Sequence, residues 1–424
     1  MRRYESYKDS GVEWLGEIPS HWESFPLFVQ AKISSITNHI DKELLSVYLD
    51  RGVVKFSDVD EKRTNVTSLD LSKYQLVRKG NLVLNNQQAW RGSVGISNYE
   101  GIVSPAYLIL ELSNKFDPHY ANYLFRNGSM VSHYLIASKG VGTIQRNLYW
   151  GNLRRTPIFI PPLSEQQKIA QFLDDKTAKI DQAVDLAEKQ IALLKEHKQI
   201  LIQNAVTRGL NPDVPLKDSG VEWIGQVPEH WEVSSLGKML LPVSEKNKPN
   251  LPLLSITREL GVIERDVEDQ ESNHNFIPDD LSNYKVLKEG QFGMNKMKAW
   301  QGSYGVSRFT GIVSPAYYIF DFIKSVNSRF FHWAIRSKIY ISFFGSASDG
   351  VRIGQWDLSK SRMKSIPFII PSYTEQVQIA DYLDQQAVKI DQAIALKTAH
   401  IEKLKEYKSV LINDVVTGKV RVSV

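Results

Sequence analysis

The 424-residue sequence contains no cysteine. That excludes thiol nucleophiles, Cys-ligated zinc, iron–sulfur clusters and disulfides, and it fits a reducing compartment such as the cytoplasm. No apolar run approaches the roughly 18–20 residues of a membrane span, so no membrane partner is expected. The opening MRRYESYKDSGVEW carries two arginines with no apolar segment behind them and does not read as a signal peptide. There is no Gly-x-x-x-x-Gly-Lys phosphate loop, no Asn- or Asp-Pro-Pro-aromatic tetrapeptide and no credible glycine-rich S-adenosylmethionine loop, Gly140-Val-Gly142 being too short a signal. Asp60-Glu61-Lys62 has the spacing of a nuclease metal site, but it lies in a solvated charge run and no such triplet lies about 210 residues on, at the place where other segments of the chain recur. His274 has no second histidine at ligand spacing. His21 and His230 each precede a tryptophan, which points to packing. What remains is ordinary: 42% hydrophobic and 23% charged residues, net charge +5. This suits a soluble globular protein of about three units at roughly 150 residues each.

The dominant feature is repetition. KDSGVEWLGEIPSHWE (Lys8 to Glu23) returns as KDSGVEWIGQVPEHWE (Lys217 to Glu232), 209 residues on. AWRGSVG (Ala89 to Gly95) returns as AWQGSYG (Ala299 to Gly305), 210 residues on, so one residue is inserted between Glu232 and Ala299. GIVSPAY, SEQQKIA/TEQVQIA and KIDQA also recur. The chain is two copies of a unit of about 210 residues, too long a period for a solenoid.

Each copy ends in a helix. From Ser164 to Thr207 there is no Pro or Gly. Pro161-Pro162 precede the segment and Gly209 follows it; Pro371 and Gly418 bracket the second. Ser164 with Gln167 suggests a capping box. Leu173, Thr177, Ile180, Val184, Ala187, Ile191, Leu194, Lys198, Leu201 and Ala205 step by alternating four and three residues. Leu383, Ala387, Ile390, Ile394, Lys397, Ile401, Leu404, Lys408, Leu411 and Val415 keep the same frame. Such a heptad seam predicts two antiparallel helices of about 66 Å each, paired as a coiled coil. Lys198 and Lys408, at equivalent seam positions, set register at some cost in stability. Two independent helices packed on their own domains are the alternative.

The preceding parts, residues 20–163 and 230–373, read as α+β. LSVYLDRGVVKF, NLVLNN, SVGISNY, GIVSPAYLILEL and TPIFI are strand-like, and HYANYLFRNGSMVSHYLIAS is a helical stretch. They also carry the positive charge, 16 Lys+Arg against 11 Asp+Glu and 18 against 14, while the helices are slightly acidic. Between the copies the framework stays and the neighbouring polar positions change. Asn85, Asn86, Gln87, Gln88 and Arg91 face Asn295, Lys296, Lys298 and Gln301. Lys139, Thr143, Gln145 and Arg146 face a segment with Arg352 and Gln355. Arg, Lys, Asn and Gln pair with base edges and phosphates, so one scaffold with two polar sets suits two DNA half-sites. Drift on exposed loops would give the same contrast. Trp90 and Trp300, beside these loops, are expected to anchor the core rather than stack on bases.

With these residues in view, the chain resembles the specificity subunits of Type I restriction–modification systems over essentially its whole length. Lys8-Asp9-Ser10-Gly11-Val12-Glu13-Trp14 with Ile18-Pro19 and His21-Trp22 looks like that family's opening signature. Pro161-Pro162-Leu163-Ser164-Glu165-Gln166 with Ile169-Ala170 looks like the start of its spacer helix; the second copy has Pro371-Ser372-Tyr373-Thr374 instead. The resemblance implies two globular target recognition domains (1–163 and 210–373) and two long antiparallel spacer helices (164–209 and 374–424). It implies a non-enzymatic subunit that reads a split site on double-stranded DNA. Two methyltransferase subunits would dock on the paired helices, and a restriction (translocase/nuclease) subunit would join through the complex. The seam residues Leu173, Ile180, Val184, Ile191, Leu194, Leu383, Ile390, Ile394, Ile401 and Leu404 are the candidate partner-binding positions. No cofactor is expected in this chain, since S-adenosylmethionine and ATP would belong to the partners. A stand-alone DNA-cleaving or DNA-modifying enzyme and a purely structural coiled-coil scaffold are the other readings.

Overall fold

The computed structural model describes residues 2–13, 15–58, 70–141, 145–266, 277–323, 325–352 and 355–422. Thr143, Asp60-Glu61-Lys62 and His274 lie outside them. The chain packs as two units, Met1–Ala187 with Ala399–Val424, and Glu188–Thr398. The division cuts both long helices, so each globular part is packed with half of each.

In the first unit the central sheet contains β1 (Ala31–Ser34), β2 (Leu82–Asn85), β3 (Val94–Ile96) and β4 (Tyr107–Leu112), in the order β1-β4-β2-β3, all antiparallel. Side chains alternate across a strand. Leu82, Leu84 and Leu110 enter the main core, while Val83 and Ile109 enter a second cluster with Leu45, Val47 and Val53 of a flanking hairpin. Both faces are covered, which is why NLVLNN and LIL read as unbroken apolar runs. Helices α1 (Pro118–Arg126) and α2 (Gly128–Ala137) cover the main face. The sequence suggested one helical stretch. Asn127 divides it, because its side chain accepts from Met130 N and so starts a second helix. A hairpin follows, β5 (Ser138–Val141) with β6 (Gln145–Leu148), then helix α3 (Leu163–Arg208).

The second unit repeats the plan. Strands β7 (Leu240–Val243), β8 (Phe292–Asn295), β9 (Tyr304–Val306) and β10 (Tyr317–Phe322) form a sheet in the order β7-β10-β8-β9. Helices α4 (Ser328–Ile335) and α5 (Lys338–Ser346), the hairpin β11 (Ser348–Arg352) with β12 (Gln355–Leu358), and helix α6 (Tyr373–Val416) follow. The copy offset is still 209 at Gly261–Glu264 against Gly52–Lys55 and is 210 at Lys285–Leu287 against Gln75–Val77, which narrows the position of the inserted residue.

The recurring motifs fasten each globular part to its long helix. In the second unit His230 Nε2 meets Glu375 Oε1 at 2.9 Å and Trp231 Nε1 donates to the same oxygen at 3.1 Å. Burial pushes the Glu375 carboxyl up, but bonds from Ser372, His230 and Trp231 outweigh it and hold the group below the usual carboxylate range. In the first unit His21, Trp22 and Tyr4 converge on Glu165 at 2.8, 3.3 and 2.7 Å. The next residue is buried in both copies. Gln166 accepts from Asp117 N and donates to Lys115 and Pro161 carbonyls, and Gln376 accepts from Asn327 N. The capping box expected at Ser164–Gln167 is not formed. Helix α3 begins at Leu163, which places Ser164 inside the first turn. The reciprocal box occurs at Ser372–Glu375 instead. At the other ends Gly209 and Gly418 adopt φ +76° and pass under Trp231 and Trp22, where a Cβ would come within 3.1 and 3.2 Å of the indoles.

The two long helices run antiparallel within each unit. In the second, Lys198 Nζ reaches both Asp391 carboxylate oxygens at 2.7–2.8 Å and Lys397 Nζ reaches Gln190 at 2.6 Å. In the first, Lys408 holds Asp181 at 2.7 Å, and Leu173 and Ile180 share a core with Leu411 and Val415. Every seam position is buried or half-buried. Lys198 and Lys408 thus escape the seam sideways to a carboxylate, and Lys397 to an amide oxygen. Because Asp391 is 59% exposed it stays solvated without its partner, so Lys198→Leu should stabilise the pair by about 1 kcal/mol. Calorimetric melting of the variant checks this; a lower melting temperature would show the ion pair to be net stabilising.

One buried histidine gives the second unit a pH dependence. His332 on α4 accepts from Val306 N at 3.2 Å through Nδ1 and must be neutral to do so. Burial, then the charges of Arg336 and Arg308, push its pKa down to about 4. The folded state therefore binds fewer protons than the unfolded one between pH 4 and 6.5. The contribution is complete above about 6.5 and is lost as pH falls toward 4. Asn122, at the equivalent place, accepts from Ile96 N at 3.2 Å with no titrating group. His332→Asn should keep the bond and flatten the decline, a difference of roughly 1–3 kcal/mol near pH 4.5. Urea midpoints from pH 7 to 4.5 measure it, and parallel curves for the two proteins would refute the assignment.

Candidate nucleic-acid interface

The divergent segments singled out by the internal comparison meet in space within each unit. In the first, the turn after β2 lies against the β5–β6 hairpin because Leu148 N donates to Asn86 O at 2.9 Å. Asn85 and Asn86 are half-buried, and Asn85 Oδ1 accepts from Gln87 N to fix the turn. Gln87, Gln88 and Arg91 are exposed. Lys139 is exposed, 5.6 Å from the Tyr149 ring centroid. Gln145 pairs with Val141 through the backbone. Arg91 and Arg146 place their guanidinium carbons 4.7 and 5.8 Å from the centroid of Trp90. Each such contact contributes about 0.5–1 kcal/mol when exposed, and together they present two cations around one indole.

In the second unit Leu358 N donates to Lys296 O, joining the equivalent segments. The chemistry differs. Trp356 takes the place of Arg146 and stacks on Trp300, centroids 5.3 Å apart and planes 24° apart. Lys296 pairs with Asp357 at 3.2 Å. Asn295 is tied to Tyr317 Oη at 3.3 Å; Lys298 is exposed and Gln301 half-buried. Arg352 and Gln355 pair through the backbone at a bulge in the hairpin. The tryptophans are not core anchors as expected. Ala89 and Ala299 fill the core, whereas Trp90 and Trp300 are half-buried at its edge because their rings lie over the hairpin. Trp356 was missed; its signal was an aromatic replacing a cation at an otherwise polar hairpin.

Among the described residues no cluster of His, Asp and Glu could hold a metal ion, and no helix is long and apolar enough to cross a membrane. The ten seam residues proposed for partner binding face the partly buried stripe between the long helices.

Residues 32–195 match the family described as Type I restriction modification DNA specificity domain, spanning β1 through the first part of α3. Over 96% of both chains the sequence is 26% identical to the protein named type I restriction enzyme MjaX specificity subunit of Methanocaldococcus jannaschii. The chain is thus similar over nearly its whole length to specificity subunits of Type I restriction–modification systems. The MjaVIII specificity subunit of the same organism is 24% identical over 96% of this chain and 94% of its own. Two solved structures share the fold at 15% identity. One is the HsdS subunit from Thermoanaerobacter tengcongensis, TM-score 0.54, covering 95% of this chain and 98% of that one. The other comes from work on complex assembly and conformational transition of the type I R-M system, TM-score 0.64, covering 95% and 99%. Specificity subunits are the DNA-recognition, non-catalytic proteins of these systems. The α+β fold with long helices expected from the sequence is the one found.

Proposed function

We propose that this specificity subunit reads a bipartite site on double-stranded DNA, one half with each globular part, and docks two methyltransferase subunits on its long helices. The recognition domains are residues 1–163 and 210–373, and the spacers are 164–209 and 374–424. A restriction subunit joins through that complex, and the assembly works in the cytoplasm. The observation that carries the reading is one framework bearing two unlike polar sets at the same place: Arg91, Arg146 and Trp90 in one unit, Lys296, Lys298 and the Trp300–Trp356 stack in the other. Basic and amide side chains there suit base edges, and other cations suit phosphates. Two weak half-sites on one chain gain effective concentration. Methylome sequencing of the host with and without the gene should reveal one split motif. Exchanging residues 20–163 for those of another subunit should change one half only. A change in both halves, or in neither, would remove recognition from that domain.

A second observation favours docking on the helices. The seam is used up within the chain, yet a further apolar row is exposed. With Leu194 and Leu201 on the seam, Leu193 and Ile200 lie one position to the side. Leu396 stands likewise beside Lys397. In an antiparallel pair these rows fall on the same flank. In the second unit Leu193, Ile200 and Leu396 are 64%, 52% and 73% exposed; the first has the repeat equivalents Leu186 and Val410 at 58% and 50%. A matched apolar pair in each unit suits one methyltransferase subunit per unit. Leu396→Asp with Ile200→Asp should weaken co-purification with that subunit at least tenfold and leave the melting temperature within a few degrees. Undiminished binding would place the dock elsewhere.

A further inference from the structure

The two units differ in one more place, away from the loops chosen by sequence. In the second, Lys246 and Lys285 are partners in an isolated antiparallel bridge. Lys285 Nζ donates to Tyr317 O at 2.7 Å, and Lys360 Nζ lies 5.7 Å from the centroid of the adjoining Tyr318. Lys296 follows Asn295, the residue opposite Tyr317 in the sheet. Burial, then the charges of Lys246, Lys360 and Lys296, hold the Lys285 ammonium below the usual lysine range. Among the described residues, no carboxylate lies within salt-bridge distance of Lys246, Lys285 or Lys360; Lys296 alone has one, Asp357.

The first unit builds the same architecture without charge. The equivalent bridge joins Thr37 and Gln75. Gln75 Nε2 donates to Tyr107 O at 2.8 Å, the very bond that Lys285 makes. Asn86 and Trp150 stand where the second copy has Lys296 and Lys360. A neutral amide thus suffices for the structural task, and the ammonium groups add only mutual repulsion to the free protein. Clustered like charges without counter-charges are stable where an anion will sit between them.

We infer that Lys246, Lys285 and Lys360, grouped around Tyr317 and Tyr318, form a phosphodiester-binding site on the second recognition unit that the first unit lacks. The inference rests on the reading that this unit binds DNA, and it adds that the two halves of the target are gripped by unequal numbers of phosphate contacts. Each ammonium–phosphate contact releases counterions and adds about 0.9 to the slope of log K against log salt.

The test uses the full chain and a fluorescent 30-bp random-sequence duplex, with anisotropy titrations at several NaCl concentrations. Lys246→Thr, Lys285→Gln and Lys360→Gln together should lower the salt slope by about 2–3 and weaken binding about tenfold or more at low salt. Thr37→Lys with Gln75→Lys should steepen it by about 2. Lys195→Gln, on the long helix, is the control for net charge. If the triple variant lowers the slope no more than this control, the lysines hold no phosphate, although DNA binding stands. If the unaltered chain fails to bind the duplex at any salt, the recognition reading falls and the site with it. Circular dichroism spectra matching the parent establish that the variants are folded.

Discussion

The fold depends on a carboxylate in the first turn of each long helix. Glu165 and Glu375 accept from the imidazole and indole of a His-Trp pair more than 140 residues away in sequence. The neighbouring glutamine, buried, holds the backbone at the start of α1 or α4. Charge-assisted bonds are short and directional. They fix the angle at which a globular part leaves its helix, which hydrophobic packing alone would leave adjustable. The function proposed above, with DNA read by a globular part and other subunits held on a helix, requires that junction to be stiff. The junction is also where the two copies remain most alike.

Away from it the copies solve the same structural problems with different side chains. Tyr123 Oη bonds Asp174 in one unit and Trp333 Nε1 bonds Asp384 in the other. Asn122 and His332 satisfy the same strand amide, and Gln75 and Lys285 the same carbonyl. Geometry is kept while charge, size and titration change. That is the freedom a recognition scaffold needs: the hydrogen bond constrains the fold, and the remainder of the side chain is open to selection for what it meets outside.

Much of this was legible in the sequence for a physical reason. Heptad spacing and the Pro and Gly brackets are local signals, and the repeat let each copy check the other. The segments around Asn85–Arg91 and Lys139–Arg146 could be chosen because divergence beside an unchanged framework stands out. Three things could not be read. Asn127 as a helix divider depends on its side chain turning back to the chain. Glu165 stood out only as part of the Pro-rich entry to the helix, whereas its partners are His21, Trp22 and Tyr4, invisible at that separation. Lys246, Lys285 and Lys360 lie more than a hundred residues apart at their extremes and become a group only through the bridge and the sheet.

The division of the chain also orders its assembly. The second unit is contiguous, Glu188–Thr398, whereas the first needs Ala399–Val424 to close. Leu411, Val415 and Val416 belong to its core, Gly418 lies under Trp22, and Arg421 pairs with Arg2. The loop-closure cost grows only as the logarithm of length, about 0.6 kcal/mol per doubling, so the long excursion is thermodynamically cheap. Kinetically it is not, because a distant segment must arrive before the Trp22 end of the core is covered. The contiguous second unit is therefore positioned to fold first.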